Sequence, residues 1–240
     1  MIREVPESTL GVLGGMGPDA TNDFLGRLAA LTGASRDQEH VRTLVYSDPT
    51  TPDRSDAILG DGPSPLPWLE RGVSFLSDAG CSVIAIPCNT AHYWHAELQA
   101  TSPTPILHIA HSVAEELSAR PSWRNVALLG TAGTIRSGIY FDYIDAAGVS
   151  ISRAQSSHAE AAVMNAIRVA KAGRMNEAKE IVAKETENYP ASNVDGIIVA
   201  CTDLSTALAG VSELHGIPLL DASSCLARAA ISAMRSDQTD

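Results

Sequence analysis

LGVLGGMG at residues 10–17 is an apolar run that ends in a small-residue turn, and VALLGTAG at 126–133 repeats it. A second pair of phrases shares nearly the same offset: IAIPCNT at 84–90 matches IIVACT at 197–202. Gly130 stands 116 residues after Gly14, and Cys201 stands 113 after Cys88. Either match alone is weak, since apolar runs followed by Gly are common in parallel α/β proteins. Two matches at nearly one spacing point to an internal duplication. The chain therefore reads as two similar halves, each with a strand ending in a tight turn and a strand ending in a cysteine.

The remaining sequence supports that division. RTLVYSD at 42–48, CSVIAIPC at 81–88, GVSIS at 148–152, DGIIVAC at 195–201 and IPLLD at 217–221 read as further strands. Helical stretches lie between them at 21–33, 64–80 and near 158–172, the first with Thr21 as its N-cap and Gly33 as its stop. Near-continuous Val, Ile and Leu strands alternating with helices predict parallel sheets covered on both faces. The expected fold is α/β, with two similar doubly wound parallel-sheet domains related by a pseudo-two-fold and the active site in the cleft between them. The first domain is expected over 1–112 plus 213–240, and the second over 113–212. Residues 49–67, rich in Pro, Asp and Gly, are too long for a simple connection and read as a functional or mobile loop.

Composition narrows the chemistry. With 45% hydrophobic and 19% charged residues, the 240-residue chain has ample material for a core, built mostly from aliphatic side chains because aromatics are only 5%. A net charge of −11 disfavours nucleic acid and anionic membranes, although one or two local cations still suit a small anion. Four cysteines are too few for a disulfide scaffold, and no apolar run is long enough to span a bilayer. The N-terminus carries acidic residues and no signal-like apolar run, so a soluble protein of a reducing cytoplasm is expected.

In open α/β sheets ligands sit outside the carboxyl ends of the strands. Cys88 and Cys201 both stand there, on opposite sides of one cleft if the halves face each other. Two acid/base groups on opposite faces of one carbon suit inversion: one thiolate removes a proton and the opposite thiol returns one. Backbone N–H groups of the flanking turns suit a carboxylate. The scheme needs no pyridoxal lysine, metal or other cofactor.

GGMGPDAT at 14–21, DQEH at 37–40, DPTTPDR at 48–54, PCNTAH at 87–92, LLGTAGTIRSGIY at 128–140 and ACTDLS at 200–205 resemble the aspartate/glutamate racemase superfamily, and most of all its aspartate racemase branch. The resemblance covers nearly the whole chain. It implies cofactor-independent racemisation of an acidic amino acid, aspartate before glutamate, in a homodimer. It makes Cys88 and Cys201 the catalytic bases. It implies that Asn89, Thr90 and Thr202 bind the α-carboxylate and amino group, that Gly15, Met16 and Thr131 line the pocket, and that Arg54 and Lys171 hold the distal carboxylate. The chain departs from the pattern at Ala200, usually Gly, and at Asp203, usually Glu. A maleate isomerase, a hydantoin racemase and a non-catalytic amino-acid-binding protein are the alternatives.

Plainer readings stand beside these. Cys81 and Cys225 read as buried small hydrophobes. Cys88, His92 and His95 lack a fourth ligand for zinc. Residues 15–20 fit a Gly-x-Gly-x-x-Ala dinucleotide fingerprint, but Pro18 sits where a backbone donor is wanted and the second half lacks the pattern. Without the motif match, Arg54 and Lys171 read as solvated surface residues. Asp19, Asp48, Asp53 and Asp203 read as turn or cap residues, with Asp48 or Asp203 a candidate to tune a nearby thiol.

Overall fold

A computed structural model describes residues 8–152, 157–187, 189 and 194–236. The outermost ends of the expected first domain, 1–7 and 237–240, lie outside the described residues. The order begins β1 (Leu10–Gly14), α1 (Pro18–Thr32), β2 (Thr43–Ser47), α2 (Arg54–Leu59), α3 (Leu66–Asp78), β3 (Val83–Ala85), α4 (His95–Thr101) and α5 (Ile109–Ser118). It continues through β4 (Asn125–Gly130), α6 (Ala132–Ser137), α7 (Phe141–Ala146), β5 (Ser150–Ile151), α8 (Ser157–Lys171), α9 (Met175–Thr186), β6 (Gly196–Ala200) and α10 (Thr202–Ala207). A short antiparallel pair follows, β7 (Glu213–Leu214) and β8 (Ile217–Asp221), and then α11 (Ala222–Ser236).

The duplication is visible in the strand order. One sheet runs β2-β1-β3 and the other β5-β4-β6-β8-β7, and every pairing except β7 with β8 is parallel. The first three strands of each sheet correspond. The place of β8 is taken in the first sheet by a single bridge from Ile106 to Ile84. Each of these segments leads into a helix, α5 in one half and α11 in the other.

Period-two alternation decides which core each strand side feeds. Leu10, Val12, Val83 and Ala85 of the first sheet, and Val126, Leu128, Ile198, Ala200 and Leu220 of the second, belong to one apolar cluster. Ile109, Val113 and Leu117 of α5, Tyr140 beside α7, and Cys225, Leu226 and Ile231 of α11 fill the same cluster. The opposite faces have separate cores, with Ile84, Ile86 and Leu69 in one and Leu129, Ile197 and Val199 in the other. The two halves are therefore joined by a common layer of helices. Arg27 of α1 adds a polar tie across it, ion-pairing with Asp221 at 3.2 Å and donating to the Ser205 carbonyl at 2.8 Å.

Several local expectations need correction. Helix α1 starts at Pro18 and not after Thr21, because Gly17 takes the cap position and Pro suits a first helical turn. Gly33 stops it in the left-handed conformation, as its sequence position predicts. Strand β3 is shorter than 81–88, because Pro87 has no N–H for a ladder and the Cys88 N–H turns back to the Ile86 carbonyl at 2.7 Å. The 49–67 segment contains the helix α2, capped by Asp53. The expected return to the first half from residue 213 begins only at α11: β8 pairs with β6 in the second sheet, and α11 packs on α1 and α5. The boundary at 112/113 falls inside α5.

One shared core implies one cooperative unfolding unit. Truncating the fully buried Leu226 to Ala is expected to cost about 2–5 kcal/mol and to lower a single calorimetric transition. Two resolved transitions would contradict a common core.

Candidate active site

The carboxyl ends of β1, β3, β4 and β6 converge on one small cavity. At the end of β1, the Thr21 hydroxyl accepts from the Gly15 N–H at 2.9 Å and donates to the Gly17 carbonyl at 3.0 Å. Gly15 has φ +87°, and a Cβ there would lie 2.3 Å from the Asp48 nitrogen, so only glycine fits. This turn brings Met16 to the cavity wall. Gly15 stands directly before Met16 in the chain, its own N–H taken up by Thr21.

Asp53 caps α2 by accepting from the N–H groups of Ser55 at 2.8 Å and Asp56 at 3.1 Å. That cap places Arg54 at the first helical position, only 8% exposed and facing the cavity. Its Nη1 donates to the carbonyls of Thr51 at 3.3 Å and Pro52 at 3.1 Å, and its Nη2 to Met16 at 3.2 Å. Its Nε is buried without a protein partner. Burial works against the guanidinium's charge, but the neighbouring Cys88 sulfur and Asp53 outweigh it and hold its pKa above the usual value.

Cys88 and Cys201 both line the cavity and are 5% and 4% exposed. Behind Cys88, the His92 Nδ1 lies 2.9 Å from its carbonyl. Burial pulls the His92 pKa down to about 4, so the ring is neutral. His92 and His95 are both turned to main-chain carbonyls. No metal-ligating group of three forms among the described residues. Cys201 is the N-cap of α10, and its Sγ lies 4.0 Å from Asp203 Oδ2. Burial, and next the Asp203 charge, push the Cys201 thiol up to about 12. Asp203 is itself raised by burial, against the pull of Lys171 and Arg54.

Asn89, Thr90, Thr131, Lys171 and Thr202 also reach the cavity. Three hydroxyls cross the halves as a triangle: Thr90 meets Thr131 at 2.9 Å and Thr134 at 2.8 Å, and Thr131 meets Thr134 at 3.0 Å. The Lys171 ammonium pairs with Asp53 at 3.6 Å. The cavity thus holds two cations, Arg54 and Lys171, and two carboxylates, Asp53 and Asp203. Asp53, Ser55 and Asp203 line it, while Asp48 is engaged by the Thr50 hydroxyl and N–H and does not. Asp53 and Ser55 were missed as lining residues. The cap signal at Asp53 was present, but its cross-half partner was not readable. The free volume is only about 20 Å³, roughly one water. Near its mouth α6 packs closely on α2, so that a Cβ at Gly133 would meet Ser55 at 2.8 Å.

A family model described as Asp/Glu/Hydantoin racemase matches residues 13–230. The chain belongs to that family. It is an enzyme, an amino-acid racemase. Among its relatives is the broad specificity amino-acid racemase RacX of Bacillus subtilis, 30% identical over 227 residues, covering 93% of this chain and 96% of that protein. The structure of an aspartate racemase from Picrophilus torridus superposes with a TM-score of 0.85 at 30% identity, over 95% of this chain and 94% of that one. A glutamate racemase from Thermus thermophilus shares the fold at TM-score 0.65 and 21% identity, covering 97% and 82% of the two chains. These neighbours place the racemase in a two-domain α/β architecture; here the two halves share one apolar layer.

Replacing Asp203 by Asn removes a charge that raises the Cys201 pKa. The alkaline titration of Cys201 in a Cys88→Ser background, followed by mass-mapped alkylation against pH, is expected to move to lower pH. It should stay above the ordinary thiol value, because burial remains. An unmoved titration would show that the carboxylate and the thiol are not coupled.

Proposed function

We propose that this racemase inverts an acidic amino acid, aspartate first, by a two-base exchange between Cys88 and Cys201. The carrying observation is that two sulfurs from equivalent strand ends line one cavity together with Arg54 and Lys171. In one direction the Cys88 thiolate takes the α-proton: an S–H bond forms, the C–H bond breaks, and the electron pair moves into the α-carboxylate. The Cys201 thiol then gives its proton to the opposite face of the carbon and is left as thiolate. The other enantiomer runs the exchange in reverse, so atoms and charge balance without a further reactant.

The assignment of direction follows from the surroundings. A thiol pushed up to about 12 is protonated at neutral pH and enters the cycle as the acid. Cys88 faces the buried guanidinium of Arg54 across the same cavity. Asn89, Thr90 and Thr202 hold the α-carboxylate and amino group, and Arg54 with Lys171 attracts the distal carboxylate. Met16 and Thr131 complete the wall. We place the boundary of substrate access at the α2–α6 contact and take the working assembly to be a homodimer.

A second reading has its own support. Asp53 and Asp203 balance the two cations, and one relative is named for broad specificity, so neutral or basic side chains belong in the substrate panel. Each amino acid is incubated in heavy water and followed for α-deuterium and for the opposite enantiomer. Aspartate is expected to lead. No exchange and no inversion of aspartate, with thiols intact, would sink it as substrate. Cys88→Ala and Cys201→Ala are each expected to lower inversion by about 10²- to 10⁴-fold while ligand binding persists.

A further inference from the structure

We infer that Tyr140 is a positioning residue: it holds the Asn89 amide so that its Nδ2 donor is presented to the substrate carboxylate beside Cys88. This rests on the racemase reading of the cavity given above, but its geometry stands apart from the choice of substrate.

Asn89 occupies the N-cap of the short 3-10 turn at Thr90–Trp94, yet its side chain makes no cap hydrogen bond. An Asn in that place ordinarily turns its side-chain oxygen back to the helix. Here Oδ1 instead accepts from the Tyr140 hydroxyl at 2.5 Å. Tyr140 is 1% exposed and is packed in the shared core, away from the cavity wall. The amide carbonyl is therefore turned to the core. Its other end, Nδ2, is buried and has no partner in the protein, although Asn89 is only 2% exposed and lines the cavity. A buried donor without a partner is uncommon and calls for an acceptor. A carboxylate in the cavity supplies one next to the carbon that Cys88 deprotonates. As charge moves onto that carboxylate, a preset donor gains strength without having to reorient.

An amide can be flipped end for end, and only its neighbours decide which end points where. The phenol makes that decision as a donor. Burial, with the Cys225, Asp221 and Cys201 charges adding to it, holds the Tyr140 hydroxyl well above its ordinary value, so it keeps its proton. The two residues also come from different halves, Asn89 after β3 and Tyr140 immediately before α7. The alignment of the donor thus depends on a contact between the halves.

Tyr140→Phe keeps the ring in the core and deletes the hydroxyl. It is expected to lower kcat/KM by about 10- to 100-fold, the range for a hydrogen bond to a charged group, while a single cooperative thermal transition is retained. Asn89→Ala is expected to do at least as much, and the double variant to be no slower than Asn89→Ala alone. Additive losses would mean that Tyr140 acts through packing and would overturn the inference. A second readout needs no substrate: the ratio of Cys88 alkylation rates by iodoacetate, which carries a carboxylate, and by iodoacetamide, which does not. The wild-type protein is expected to favour iodoacetate. Tyr140→Phe should reduce that preference several-fold, and so should Asn89→Asp, which loses the donor with Tyr140 intact. An unchanged ratio in both variants, or no preference in the wild type, would overturn the inference. A shifted ratio in a protein that inverts no amino acid would sink the proposed reaction and leave the role of Tyr140 standing.

Discussion

The side chains between the two sheets cannot be divided into two cores. Leu10 and Val12 face the same apolar layer as Leu128, Ile198 and Leu220, and the helices between them, α1, α5 and α11, belong to both halves. Each buried aliphatic side chain there contributes about 1.5–3 kcal/mol. The relative placement of the sheets is thus held by the same energy that holds each sheet together. The cavity inherits its geometry from this layer. Cys88 and Cys201 lie on the outer faces of their own sheets, in separate clusters. They reach one cavity because the common layer sets the strand ends against each other.

Polar contacts across the cavity are few and specific. The Thr90, Thr131 and Thr134 hydroxyls satisfy one another, Lys171 meets Asp53, and Tyr140 meets Asn89. All but the contact between Thr131 and Thr134 join the first half to the second. A buried hydroxyl or amide without its partner costs more than the bond contributes, so each contact disfavours opening.

Charge is balanced in pairs. Arg54 is locked by three main-chain carbonyls and faces Cys88, whereas Asp203 faces Cys201. Two chemically identical side chains therefore sit in opposite fields. Two groups set the difference: Arg54 on α2 and the Asp that follows Cys201-Thr202. The carboxylate beside Cys201 adds to burial in raising that thiol.

The repeat of residues 10–17 at 126–133, the strand-end cysteines and the parallel α/β class were legible because they rest on local rules: period-two apolarity, turn glycines and the position of a strand end. Residues 14–17 even announce a glycine-dependent turn. What lay beyond the sequence was contact at long range. The pattern does not reveal that Thr21 takes the Gly15 N–H. Strand β8 read as part of the first half because nothing local tells a strand which sheet it joins. Tyr140 and Thr134 stood in quoted motifs without roles, and Asp53 only as a cap, since each has a partner in the other half. The sequence by itself determined which elements form and which two thiols stand at strand ends. Tertiary structure alone decided the common core, the partners of Arg54 and Lys171, and the high proton affinity of Cys201, because hydrogen-bond pairing and desolvation depend on distances between residues far apart in the chain.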